Sequence, residues 1–163
     1  RQEPAISNAI WLIPGNALVI PCRDNGSSAM PGNANGAKRY LLDTNALVAL
    51  LQGHADLLNT VESADWLGVS VINVLEFLGF DGLSEIDRQL FTELLQRITV
   101  VDLLSGDAAL MALIIEIRQG KSLKLPDAIV MACAAMHQAT VLTHDVQLLK
   151  LAASDERFSA VPF

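Results

Sequence analysis

Cysteine is scarce in this 163-residue chain, and the two present, Cys22 and Cys133, lie far apart, one in a polar stretch and one in an apolar run. That scarcity excludes a disulfide framework and makes a reducing cytoplasm the expected compartment. Histidine is almost as rare: His54, His137 and His144 fall into no H-x-x-H or H-E-x-x-H spacing, which argues against a zinc site. The longest unbroken apolar run, Ala128 to Met136, is nine residues, half of the roughly 18 a membrane helix needs. Cations are few as well. Lys and Arg number 11 against 18 Asp and Glu, for a net charge of −7, so affinity for nucleic acid cannot come from bulk phosphate neutralisation. What remains is 52% hydrophobic and 18% charged, too apolar to stay unfolded and of a length that suits one domain.

Residues 1 to 37 differ from the rest. They hold four of the six prolines and four of the ten glycines, and the stretch from Asp24 to Gly36 has linker chemistry. Two short apolar runs, 10–13 and 17–20, are split by Pro14-Gly15 and suit a hairpin or an amphipathic fragment rather than a secretory signal. Met30 is a candidate natural start. The organisation expected is therefore a leader or linker over 1–37 and one domain over 38–163.

From Lys38 onward strands and helices alternate. Strand-like runs fall at 40–42, 67–71, 98–101, 140–143 and 158–161; helical stretches fall at 46–51, 55–64, 72–80, 84–97, 105–118, 126–138 and 146–152. The helix at 84–97 carries Ser84 as its cap with Asp87 three residues on, and Pro126 opens the helix at 126–138. This alternation predicts an α/β layered domain with a mostly parallel sheet, because parallel neighbours need crossovers and helices supply them. In such folds sites form beyond the carboxyl ends of the strands.

Four acids fall at telling places. Asp43 follows the first strand in Leu41-Leu42-Asp43-Thr44-Asn45, and Asp145 follows a later one in Leu142-Thr143-His144-Asp145. Taken alone, each reads as a helix cap. Asp127 sits in the first turn of a helix whose continuation, Ala128 to Met136, is apolar on every side, so it marks the mouth of a deeply packed element. Glu76 lies in Val74-Leu75-Glu76-Phe77-Leu78 with Asn73 one turn back. An exposed Glu is the plain reading; the apolar surroundings suggest instead a buried carboxylate that needs a cation or donor, with Asn73 in its lining. Four carboxylates at one sheet edge would raise one another's pKa, and a divalent cation resolves that conflict. All-oxygen donors favour Mg2+ or Mn2+, suited to phosphodiester hydrolysis by a metal-activated water.

These segments resemble the PIN-domain ribonucleases, in particular the VapC-type toxins of toxin–antitoxin pairs. The likeness is carried by Leu-Leu-Asp43-Thr44-Asn45, by Ser70-Val-Ile-Asn-Val-Leu-Glu76, by Leu-Pro-Asp127-Ala-Ile-Val-Met-Ala and by Ala-Thr-Val-Leu-Thr143-His144-Asp145, in order over residues 38 to 163. It implies a three-layer α/β/α fold with a mostly parallel sheet, an acidic pocket for Mg2+ or Mn2+, and endonucleolytic cleavage of RNA in the cytoplasm. It further implies Asp43 and Asp127 as principal metal ligands, Glu76 and Asp145 completing the pocket, and Asn45 and Thr143 orienting carboxylates or water. Water would attack, with one carboxylate taking its proton. An antitoxin with a basic or aromatic tail and a second copy of the chain are the partners implied. Asn73 departs from the family pattern, which commonly has Thr there, and His144 stands at a position that is often basic. The cluster Arg118, Lys121 and Lys124 is a candidate guide for RNA phosphates or simply a solvated helix end.

Two other readings compete. A haloacid-dehalogenase-like phosphatase needs an acid two positions after its first Asp, where this chain has Asn45, and a dinucleotide fold needs a G-x-G-x-x-G that is absent. The remaining alternatives are a catalytically silent PIN-like binding module or another Mg-dependent phosphoryl-transfer enzyme. Residues 1 to 29 are charge-balanced, so the whole −7 lies from Met30 on, and the four acids supply four of those charges.

Overall fold

A computed structural model describes residues 36–121 and 123–163. Five strands and seven helices alternate through them: β1 (Arg39–Leu42), α1 (Thr44–Leu51), α2 (Ala55–Glu62), β2 (Trp66–Ser70), α3 (Val71–Leu78), α4 (Glu85–Leu95), β3 (Thr99–Val101), α5 (Ala108–Lys121), α6 (Leu125–Met136), β4 (Thr140–Leu142), α7 (Val146–Ser154) and β5 (Ala160–Val161). The expected hairpin over 10–20 lies outside the described residues. The helix expected from 105 begins at Ala108 instead. Residues 105 and 106 form a turn, and Asp107 Oδ1 accepts from the Leu110 amide at 3.0 Å, so the chain turns helical only after that aspartate. At α4 the Ser84 hydroxyl and the Asp87 carboxylate bond each other's backbone amides reciprocally, as their spacing predicts.

All strand pairings in the sheet are parallel, in the order β3-β2-β1-β4-β5. The chain builds outward from β1 to β3, then returns to the other side of β1 to add β4 and β5. β1 and β4 therefore flank the switch point where successive connections diverge, the place where open α/β sheets form crevices.

Successive strand residues point to opposite faces, so each strand feeds two cores. Leu41 and Val141 join Leu110, Ile114, Ile117 and the α6 residues Ala128 to Ala134 on one side. Leu42 and Leu142 join Leu47, Leu50, Leu57, Phe77 and Phe91 on the other. This is the three-layer α/β/α arrangement. Helix α6 is buried without interruption from Ala128 to Ala134, and a short-side-chain run of Ala and Cys lets it approach the sheet closely. Cys133 within it is buried and unbonded to another cysteine.

At the amino-terminal end of the sheet, Arg39, Trp66 and His137 form a stack. The guanidinium lies 4.6 Å from the Trp66 ring centroid, the imidazole stacks on Trp66 at 5.2 Å, and Arg39 Nε donates to the His137 carbonyl at 2.8 Å. Burial, and secondarily the Arg39 charge, hold the His137 imidazole below its usual pKa.

Candidate active site at the carboxyl edge of the sheet

Asp43 ends β1 and caps α1. Its Oδ1 accepts from the Thr44 amide at 2.8 Å and from Asn73 Nδ2 at 3.2 Å; its Oδ2 accepts from Asn45 Nδ2 at 2.8 Å and from the Thr143 hydroxyl at 2.7 Å. Four donors thus converge on the two oxygens of this carboxylate. Thr143, fully buried beyond β4, also accepts from Asn45 Nδ2 at 3.2 Å and from the Asp145 amide at 2.9 Å. Asn45 closes the group by accepting the His144 amide on its Oδ1 at 3.1 Å. These bonds tie together the carboxyl ends of β1 and β4, with the Asp43 amide adding a bond to the Leu142 carbonyl.

The other acids are held differently. Asp145 caps α7, its Oδ1 accepting from the Gln147 and Leu148 amides at 2.6 and 3.2 Å. Asp127 lies half-buried in the first turn of α6. Glu76 is exposed on α3, contrary to the buried carboxylate its apolar neighbours suggest. The reason is that α3 buries only one stripe: Asn73 and Phe77 face inward, while Leu75 and Leu78 are themselves 62% and 38% exposed. Glu76 nevertheless has a donor, since the Thr44 hydroxyl lies 2.6 Å from its Oε2. The sequence marks Thr44 only by its place between Asp43 and Asn45 and assigns its hydroxyl no role; the fold supplies one.

Two of the four acids feel the charges of the others. Burial first, then the Glu76 and Asp145 charges, push the Asp43 carboxyl above its ordinary pKa despite the hydrogen bonds from Thr143 and Thr44 that pull it down. Burial also pushes Asp127 up, followed by the charges of Asp145 and Asp43, with the Lys124 ammonium offsetting part of the effect. Yet among the described residues no three His, Cys, Asp or Glu side chains gather closely enough to form a metal-ligand group. The acids share a field without converging on a point.

His144 lies flat against Phe163, ring centroids 4.0 Å apart, and its Nε2 is 2.9 Å from the Phe163 carbonyl oxygen. Of the basic cluster, Arg118 donates to the Leu123 carbonyl at 3.4 Å, and Lys124 is exposed one turn before Asp127.

An all-parallel α/β/α domain with acidic side chains at the switch point of its sheet defines the class of fold. Residues 40–162 match the PIN domain family model, and the chain belongs to that family. Solved structures agree. A toxin-antitoxin complex from Klebsiella pneumoniae is 25% identical, with a TM-score of 0.55, over 65% of this chain and 86% of that one. VapBC2 from Rickettsia felis, bound to a DNA fragment from its promoter, is 18% identical with a TM-score of 0.63, over 77% and 98% of the two chains. FitAcB from Neisseria gonorrhoeae is 24% identical with a TM-score of 0.53, over 74% and 95%; these last two show the fold alone. No curated protein matches the chain significantly. No helix among the described residues is long and apolar enough to cross a membrane.

Proposed function

We propose that this chain is a Mg2+- or Mn2+-dependent endoribonuclease and the toxin of a toxin–antitoxin pair, acting in the cytoplasm. The observation that supports the reading is the family match over residues 40–162 together with the place of Asp43 at the β1/β4 switch point, where burial, with the Glu76 and Asp145 charges added, pushes its carboxyl up, a strain that a bound cation would relieve. Asp43 and Asp127 would be the principal ligands, with Glu76 and Asp145 completing the pocket. The donor set fits Mg2+ or Mn2+: all its atoms are oxygen, and Mg2+ keeps several waters and takes only one or two carboxylates, so a close three-acid cluster is not required. When bound, such an ion supplies an activated water and neutralises charge on phosphoryl oxygens.

The chain's own residues do the rest. Asn45 and Thr143 fix the plane of the Asp43 carboxylate by donating to the same oxygen. Asp127, whose side chain caps no helix end, would be free to turn to the ion, and one of the four carboxylates would take the proton of the attacking water. Lys124 and Arg118 offer cations for the substrate's phosphates. The acidic chain suits an antitoxin with a basic or aromatic tail laid across the pocket, and the Klebsiella likeness to a toxin-antitoxin complex supports such a partner; a homodimer is the assembly proposed.

The test is cleavage of a fluorescent RNA. Cutting that requires Mn2+ or Mg2+, stops with chelator and is lost in Asp127→Asn supports the enzyme. Intact RNA under every condition would leave a PIN-like binding module.

A further inference from the structure

Asn73 is fully buried in the first turn of α3, and its amide nitrogen serves two acceptors, Asp43 Oδ1 at 3.2 Å and the Thr44 hydroxyl oxygen at 3.0 Å. Its carbonyl oxygen has no partner. The opposite orientation of the amide would set that oxygen against the Asp43 carboxylate, so the electrostatics fix which atom faces the acid. Because Thr44 Oγ1 accepts from Asn73, its single proton is left for Glu76 Oε2, 2.6 Å away. The bonds therefore run one way, from amide to hydroxyl to carboxylate, and the same amide also grips Asp43.

We propose that Asn73 is a positioning residue that locks Asp43 and Glu76 into one arrangement through a directed chain of hydrogen bonds across Thr44. The unpartnered carbonyl argues for this role. A hydroxyl there would have a single proton and could donate to only one of the two acceptors, whereas the amide serves both at the cost of a buried acceptor left unmade. The contribution to metal binding and cleavage rests on the nuclease reading; the chain of bonds does not.

Two arms test it on the full-length protein. In metal-free protein, NMR should show a slowly exchanging Thr44 hydroxyl proton and protected Asn73 side-chain amide protons. The Thr44 signal should exchange rapidly in Asn73→Leu and in the isosteric Asn73→Asp, and the proposal falls if it keeps its wild-type protection in both. In the second arm, Mn2+ affinity measured by calorimetry should weaken by about ten- to a hundredfold in Asn73→Leu, the usual penalty for losing an outer hydrogen bond to a ligand. Asn73→Thr, which keeps one donor, should fall between. RNA cleavage should lose turnover with little change in KM, since the residue touches a carboxylate and not the substrate. Unchanged Mn2+ affinity and turnover in Asn73→Leu and Asn73→Asp would overturn the role. If wild type neither binds Mn2+ nor cuts RNA, the nuclease reading fails while the NMR arm still decides the chain of bonds.

Discussion

The Thr143 hydroxyl donates to Asp43 Oδ2 at 2.7 Å across 100 residues of chain. One side chain thereby joins the end of the first strand to the end of the fourth, at the point where the sheet's two halves diverge. Thr143→Val keeps shape and β-branching but removes this donor and the acceptor used by Asn45 and the Asp145 amide. The expected cost is about 1–3 kcal/mol in denaturant unfolding, the range for a buried polar group left unpaired. RNA cleavage should fall with it, at protein concentrations where the variant remains folded.

Asp127 gives a prediction of opposite sign. Its folded pKa is raised above the ordinary 3.8, so its contribution to stability is fully present below that value and lost as pH rises through the folded pKa. At pH 7 the charge works against the fold. Asp127→Asn should therefore raise the melting midpoint at pH 7 by a few degrees, and the gain should vanish as pH falls toward 3.8. Mn2+ should raise the midpoint of wild type more than that of the variant. Melting curves at several pH values, with and without the ion, check both.

The Ser84 cap supplies a control far from the crevice. Ser84→Ala removes one arm of the reciprocal bonding with Asp87, whose carboxylate is almost fully buried. A loss of about 1 kcal/mol is expected, with cleavage per folded molecule unchanged. A change in turnover would show that α4 communicates with the site.

Gly68 meets the Trp66 stack. A Cβ on Gly68 would overlap the Trp66 ring, which is held in place by Arg39 and His137 and cannot simply swing away. Gly68→Ala is expected to cost about 1–3 kcal/mol, typical of overpacking, and to shift Trp66 fluorescence in a Trp11→Phe background.

Much of this fold could be read from the sequence because the signals were local. Ser84 and Asp87 announce their helix by spacing, and Asp43 and Asp145 stand where strands must hand over to helices. The exposure of Glu76 could not be read so, because it depends on how α3 crosses the sheet edge, which leaves Leu75 outside with it. The same holds for the double grip of Asn73, whose two acceptors lie 29 and 30 residues earlier in the chain. A one-sequence pattern shows which residues are polar, but only the packing shows whom a buried amide faces. The β1/β4 pairing is likewise nonlocal: nothing near Asp43 announces that Thr143 will be its neighbour.

That strand order has a consequence for synthesis. A nascent chain that has emerged only through α5 carries Asp43, Asn73 and Glu76 but neither Asp127 nor Thr143, so the group at the switch point cannot yet exist. The last strands must dock beside the first, a long loop closure that local helix formation cannot hasten. Any cutting activity housed there appears late and all at once, after the ribosome has made nearly the entire domain.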